Sequence, residues 1–486
     1  MRRMVALSLA VLLAAVACGD ASASRGSPAA TPSASPTIAA PATARATATP
    51  PSPSPAGAPA ADPTVAPASP AAALSAIVPG SVGRTSLAIR ATYDVTARLG
   101  FGDRSLRVDA TLAIRNDSGA GIDRLELNTI AAQLGSMVRL SAAVDGRAVI
   151  PRRSDQTIVV PLGGVLPAGA SATVYVGYSA HLRSGTSGSD WLFTRANGIA
   201  ELYRWIPWIS RARPFDRPNH GDPFVTPISP KVVVRLTTDR ALVVATPGRR
   251  VSAVGRTQTF EATQVRDFAI VAAPDFRTAS RHVGATFVQA FVRPGTAAGP
   301  RLDAAEHALR AMAARVGPYP YASYLVAQTA GGYGMESPGL TWIPGGIGGA
   351  DLRYLVTHET AHQWFYSLVG NDQATAPFTD EAAADFLARS VLGSRRSSHC
   401  ATAPLDRSIY RYSATCYYET IYIQGGNVLD DLRRRMGDAA FWPALRRYVT
   451  TWSWRLAPPR ALLDTLDAAT SLDFGPVYRS RFPTWY

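Results

Sequence analysis

The stretch HETAHQWFYSLVGNDQATAPFTDE, residues 358–381, limits what this chain can fold into more than any other part of it. The chain has 7 His and, counted along its length, 8 Glu in 486 residues. Finding His358, Glu359, His362 and Glu381 at this spacing by scatter has odds on the order of one in ten thousand or less. In DLRYLVTHETAHQWFYSLVG, Leu352, Leu355, Val356 and Trp364 recur at helical intervals, Asp351 can cap the start and Gly370 can end it. His358 and His362 then share a helix face, one turn apart. A second helix is predicted over TDEAAADFLARSVLG, with Thr379 as its cap and Glu381 in its first turn. The linker between the two helices is long enough to turn back, which would bring this carboxylate beside the two imidazoles.

Two His nitrogens and one carboxylate oxygen leave the fourth tetrahedral position of zinc for water, whose pKa the ion lowers to roughly 7. Glu359, beside the first ligand and not needed as one, can take the proton as general base. Two imidazoles and a carboxylate suit zinc well, and one ion per chain is expected on His358, His362 and Glu381. The alternative is a buried helix whose histidines bond to backbone carbonyls, and the correctly spaced Glu381 counts against it.

Upstream the grammar is different. Between residues 78 and 275, runs such as SLRVDATLAIRNDSG, QTIVVPLGG, SATVYVGYSAHL, KVVVRLTTD and ALVVATPG alternate with period two between turn residues, which predicts an antiparallel β domain. From 276 to 486 a mostly helical domain is expected, making the chain α+β. Its first helix is RLDAAEHALRAMAARVG, with Asp303 and Glu306 spaced as a capping box and Gly317 as the stop.

With these motifs in place, HETAH followed after eighteen residues by Glu381 resembles the gluzincin metallopeptidases of the aminopeptidase N and leukotriene hydrolase family. GYGMESPGL is similar to that family's Gly-x-Met-Glu-Asn element, and VGPYPYASYLVAQTAGG to the lead-in to its edge strand. The resemblance implies a saddle-like N-terminal β domain and a thermolysin-like catalytic domain. It implies zinc on His358, His362 and Glu381, Glu359 as base, and Glu336 on the amino group of a peptide substrate. The backbone of Gly334 and Met335 would pair with that substrate as an added strand. In YYETIYIQGGNVLDDL, Tyr422 three residues before Gly425 matches the family's oxyanion-stabilising Tyr, with Tyr417 and Tyr418 close enough to be confused with it. The sequence departs from the family at Asp380-Glu381-Ala382, in place of Asn-Glu-Gly, and at Ser337, in place of the motif's Asn. The length after Tyr422 implies a form without the large helical C-terminal domain of longer relatives.

The implied activity is a zinc aminopeptidase acting on peptides. The alternatives are an endopeptidase with an open cleft and a binding lipoprotein without turnover. The first residues, MRRMVALSLAVLLAAVAC, pair Arg2 and Arg3 with a short apolar run and read as an export signal over 1–17. AVAC resembles a bacterial lipoprotein box in which Cys18 takes the lipid, anchoring the chain outside the cytoplasmic membrane; an ordinary cut after Ala23, and secretion, is the alternative. Residues 18–77, rich in Ala, Pro, Ser and Thr, are expected to form a disordered tether. An oxidising compartment favours a disulfide between Cys400 and Cys416 over two free thiols. The formal charge of +14 is almost all Arg, Lys231 being the sole lysine, and no nucleic-acid module accompanies it.

Overall fold

A computed structural model describes residues 75–217 and 219–486. The expected signal peptide, Cys18 and all but the last three residues of the expected tether lie outside the described residues. Contacts with the folded chain begin earlier than expected. Ser75 Oγ donates to Asp145 Oδ2 at 2.6 Å, and Ile77 packs against the core.

Alternation along the chain becomes alternation across a sheet. In Ile89–Gly100 the residues Ile89, Ala91, Tyr93, Val95, Ala97 and Leu99 are buried, and in Ser105–Asn116 so are Leu106, Val108, Ala110, Leu112 and Ile114. These two strands pair in the middle of an eight-stranded sheet running from Arg249–Val254 at one edge to Arg147–Val149 at the other. The sheet is not purely antiparallel. Ile89–Gly100 runs parallel to Val232–Thr238, with Tyr93 opposite Val232. Two four-stranded sheets complete the β-rich part, and one apolar cluster runs through all three, gathering Trp191, Trp205 and Trp208.

The region after Phe276 begins with more strand than expected. Arg277–Val283, Thr286–Val292, Ser323–Thr329, Leu340–Pro344 and Met335–Ser337 form a five-stranded sheet in that order, which leaves Met335–Ser337 at an edge. The Gly299–Val316 helix crosses between the parallel strands Thr286–Val292 and Ser323–Thr329, burying Leu302, Ala305, Leu309, Met312 and Val316. It starts four residues before Asp303, so the capping box does not form. Arg281 instead bonds Asp303 at 2.8 Å and Glu306 at 2.9 Å. Gly317, with φ +113°, ends the helix as expected.

The histidine helix spans Gly349–Ala361 and stops nine residues before Gly370, with Gly348 rather than Asp351 at its N-cap. His362 keeps helical dihedrals and remains one turn beyond His358. Beyond it the chain folds into tight turns and passes through Tyr366 at φ +149°, a conformation that is strained for a residue with a side chain. Arg266 holds this segment in place. Its fully buried guanidinium donates to the carbonyls of Ser367 at 3.2 Å, Leu368 at 3.3 Å, Thr226 at 3.0 Å and Arg455 at 2.7 Å. Leu368 and Arg455 keep the backbone N–H groups of Trp454 and Gly370, but Arg266→Ala would leave the Thr226 and Ser367 carbonyls without a donor among the described residues, each costing about 1–3 kcal/mol, and should destabilise the protein by about 3 kcal/mol or more in a denaturant titration.

Candidate metal centre

Two helices and a turn bring the chemistry together. The Glu381–Leu392 helix packs beside the histidine helix; Asp380, not Thr379, occupies its N-cap position, and Gly393 closes it in a left-handed conformation. His358 Nε2 and His362 Nε2 are 3.3 Å apart, and Glu381 Oε2 lies 3.3 Å from each. All three side chains are at least nine-tenths buried. Ligands about 2.0–2.1 Å from a tetrahedral zinc stand about 3.3 Å from one another, so the triangle has the size that one zinc ion requires.

The donor chemistry agrees with the geometry. His362 Nδ1 lies 2.9 Å from Asp380 Oδ1 and 3.1 Å from the Phe365 carbonyl, both acceptors. The proton therefore belongs on Nδ1, leaving the Nε2 lone pair for a metal. Glu381 Oε2 and Glu359 Oε2 are buried without a hydrogen-bond donor among the described residues.

Glu359 stands beside the triangle. Its carboxylate and that of Glu336 each place an oxygen within 4.8 Å of one another and of a His362 nitrogen. A Cβ on Gly334 would fall 2.2 Å from Glu359 Oε1, so only glycine leaves that carboxylate its place. Burial raises Glu359 to about 7, against the pull of His358 and His362. Glu336 is raised well above the carboxylate range, by burial first and then by the charge of Asp222. Burial works to raise Glu381 too, but the facing imidazoles, His362 foremost, hold it well below its ordinary value. His362 is raised despite burial by Asp380 and Glu381. A cation within the triangle would keep the carboxylates ionised and the imidazoles neutral.

Tyr422 lies in a π-helical turn, Glu419–Gln424, that runs directly into the Gly425–Met436 helix rather than standing ahead of it. Its ring stacks on His358 at 5.4 Å, and burial and the nearby Glu381 raise its phenol. Gly425 permits the approach, since a Cβ there would meet Ala382 Cβ at 2.6 Å. Tyr417 sits deeper, 2% exposed, whereas the Tyr418 hydroxyl accepts from Arg396 Nη1 at 2.7 Å. The Cys400–Cys416 disulfide closes the loop immediately before these tyrosines.

The triangle opens into a cavity of about 360 Å³, lined also by Gly334, Met335, Glu336 and Tyr422. Part of its wall lies far from the sequence motifs. Trp191, Arg217, Asn219, His220 and Asp222 come from the β-rich part, with Arg217 Nη2 bonded to Asp222 Oδ1 at 3.0 Å. No local pattern marks these residues. Asp380 does carry a signal in the sequence, as a carboxylate next to a proposed ligand at a flank that departs from the family pattern.

No protein-family model matches the chain, and no curated protein matches it. Among solved structures it is similar to an M1 zinc metallopeptidase from Deinococcus radiodurans, a point mutant of which aligns with a TM-score of 0.64 at 19% identity, covering 83% of this chain and 96% of that one. The mutant bound to a Tyr-Ser-Ala substrate gives 0.63 at 20% identity over the same shares. The metallopeptidase without the mutation gives 0.62 at 21%, covering 81% of this chain and 93% of that one. What is shared at such identities is the fold, a β-rich N-terminal part followed by a part that ends in helices.

The geometry makes a prediction about metal alone. Purified protein should hold close to one zinc per chain by elemental analysis, and His362→Ala should hold almost none. Asp380→Ala, which removes only the acceptor behind His362, should weaken zinc binding by about 10–100-fold in a chelator competition.

Proposed function

We propose that the protein is a zinc-dependent aminopeptidase that removes N-terminal residues from peptides. The observation that carries this reading is the position of Glu336, a buried carboxylate at a sheet edge within 4.8 Å of Glu359 and His362. In a peptide the α-amino nitrogen and the first carbonyl carbon are separated by two bonds, about 2.5 Å. A carboxylate that holds the ammonium this close to the metal triangle brings the first peptide bond, and no later one, to the reacting position.

The other side chains have parts that fit. His358, His362 and Glu381 would hold a zinc ion, which would supply Lewis acidity and lower the pKa of a water. Glu359 takes the proton from the attacking water and passes it to the leaving amine. The Tyr422 phenol, kept protonated by burial, donates to the oxygen that gains charge at the tetrahedral carbon. Among the described residues Met335–Ser337 pairs on one side only, with Leu340–Pro344, so its other edge can take an extended peptide as an added strand. The Tyr-Ser-Ala peptide bound in the neighbouring structure supports a short peptide as substrate.

Glu359→Gln should retain zinc and lose nearly all turnover, because the amide keeps the shape and cannot accept the proton. On Glu336→Ala, efficiency for free peptides should fall about tenfold or more, and N-acetylated peptides should already be poor substrates of the parent. Product masses from a panel of free and blocked peptides check both; equal internal cleavage of blocked peptides by parent and Glu336→Ala would replace this reading with an endopeptidase. The protein is further proposed to be exported and held at the outer face of the cytoplasmic membrane by a lipid on Cys18. The short apolar run ending in AVAC supports this, as does the Cys400–Cys416 disulfide, which suits an oxidising compartment. Cys18→Ser should move the protein from the membrane fraction to the soluble one.

A further inference from the structure

Behind Glu336 and Asp380 lies a buried polar chain that none of the motifs contains. Gln373 is 2% exposed and sits in the turn between the two helices. Its Nε2 donates to Glu336 Oε1 at 3.1 Å and to Asp380 Oδ2 at 2.8 Å, while its Oε1 accepts from Arg204 Nη2 at 2.9 Å. A guanidinium only donates and an ionised carboxylate only accepts, so the amide has one allowed orientation. In it both amide hydrogens and the carbonyl oxygen are used.

Arg204 is itself fixed. The same Nη2 donates to the Tyr366 hydroxyl at 3.0 Å, Nη1 donates to Thr226 Oγ1 at 3.2 Å, and the guanidinium lies 4.1 Å from the centre of the Phe224 ring. Tyr366 donates onward to the buried Asp267. The Gln373 backbone N–H bonds the Phe224 carbonyl at 2.9 Å. Side chain and main chain of Gln373 are thus both held by the β-rich part.

We propose that Gln373 is the positioning residue that sets the substrate-amine anchor and the metal centre in register, by tying the Glu336 carboxylate to the Asp380 carboxylate behind His362. The inference rests on the reading of Glu336 as the amine anchor. One amide NH2 spans two carboxylates that would otherwise repel each other, and it fixes one oxygen of Glu336 so that the other faces the cavity. Neither Glu nor an apolar residue can replace it. Glu would bring a third carboxylate to the same point, and an apolar side chain would take one partner from Asp380 and one from Arg204 and leave Glu336 with no side-chain donor among the described residues.

The experiment compares kcat/KM on a short peptide and on its N-acetyl form, for zinc-loaded parent, Gln373→Met, Gln373→Glu, Glu336→Ala and the Glu336→Ala/Gln373→Met double variant. The ratio of the two efficiencies does not depend on the active fraction, so a partly folded sample still reports. Gln373→Glu keeps the size of the side chain and an acceptor for Arg204 should Gln373→Met fail to fold. The ratio should fall about tenfold or more in all three single variants, while in the Glu336→Ala background Gln373→Met should change it by less than about twofold, the non-additivity of two residues acting through one contact. Chelator competition should show zinc bound about tenfold more weakly by Gln373→Met, through the loosened Asp380. A parent that discriminates and variants that keep its ratio overturn this inference alone, whatever happens to zinc affinity. A parent that cleaves both peptides equally overturns the amine-anchor reading and this inference with it.

Discussion

Five buried carboxylates, Asp222, Glu336, Glu359, Asp380 and Glu381, line or back a single cavity, and the rest of the site is arranged around their mutual repulsion. An unaccompanied ionised carboxylate in such surroundings costs several kcal/mol. Asp222 is offset by Arg217, and Asp380 by His362 and Gln373. Glu336 has Gln373 and, in the proposed reaction, the substrate's ammonium. Glu359 and Glu381 each keep one oxygen free of any donor among the described residues. Both lie beside the imidazole nitrogens of the triangle. The cheapest way to hold this much negative charge there is a divalent cation, which makes metal binding part of the stability of the site as well as of its chemistry.

The backbone bears part of the same cost. Tyr366 keeps its strained φ because its hydroxyl is clamped between Arg204 and Asp267, and Arg266 binds the carbonyls of the two residues that follow. The π-helical turn before Gly425 widens the helix where Tyr422 lies against His358. Strain of this kind survives only where neighbouring contacts over-determine it, and here it sits on both sides of the metal triangle.

What could be read from the sequence was what depends on local spacing. His358 and His362 fall on one face because the helical period is local, and the strands at Ser105–Asn116 and Ser171–His181 follow from alternation alone. Errors fell where tertiary contacts override the local signal. Asp303 and Glu306 look like a capping box but are drawn to Arg281, which lies on a strand. The apolar run through Trp364 looks helical to Gly370, yet the helix stops at Ala361, where the turns held by Arg204 and Arg266 take over. Gln373 could not be found at all, since its three partners lie 7, 37 and 169 residues away along the chain.

These long separations divide the work of the site between two stretches of chain. The metal triangle is built within residues 358–381, but its edge strand rests on the other part. Met335, Leu340 and Trp342 belong to the apolar cluster of the three β sheets, not to the one beneath the helices. The far wall, Trp191, Arg217, Asn219, His220 and Asp222, comes from there as well, and the ring of Tyr333 at the mouth packs at a tilt against those of His220 and Trp191, with centres 5.1 Å and 5.9 Å away. In the proposed reaction a substrate side chain on that wall would meet aromatic rings and an ion pair that is already neutralised, while the bond to be cut would meet the triangle. Substitutions between Trp191 and Asp222 can therefore reshape what fits without touching a ligand. Changes at Arg204, although it too comes from the β-rich part, reach the chemistry through Gln373.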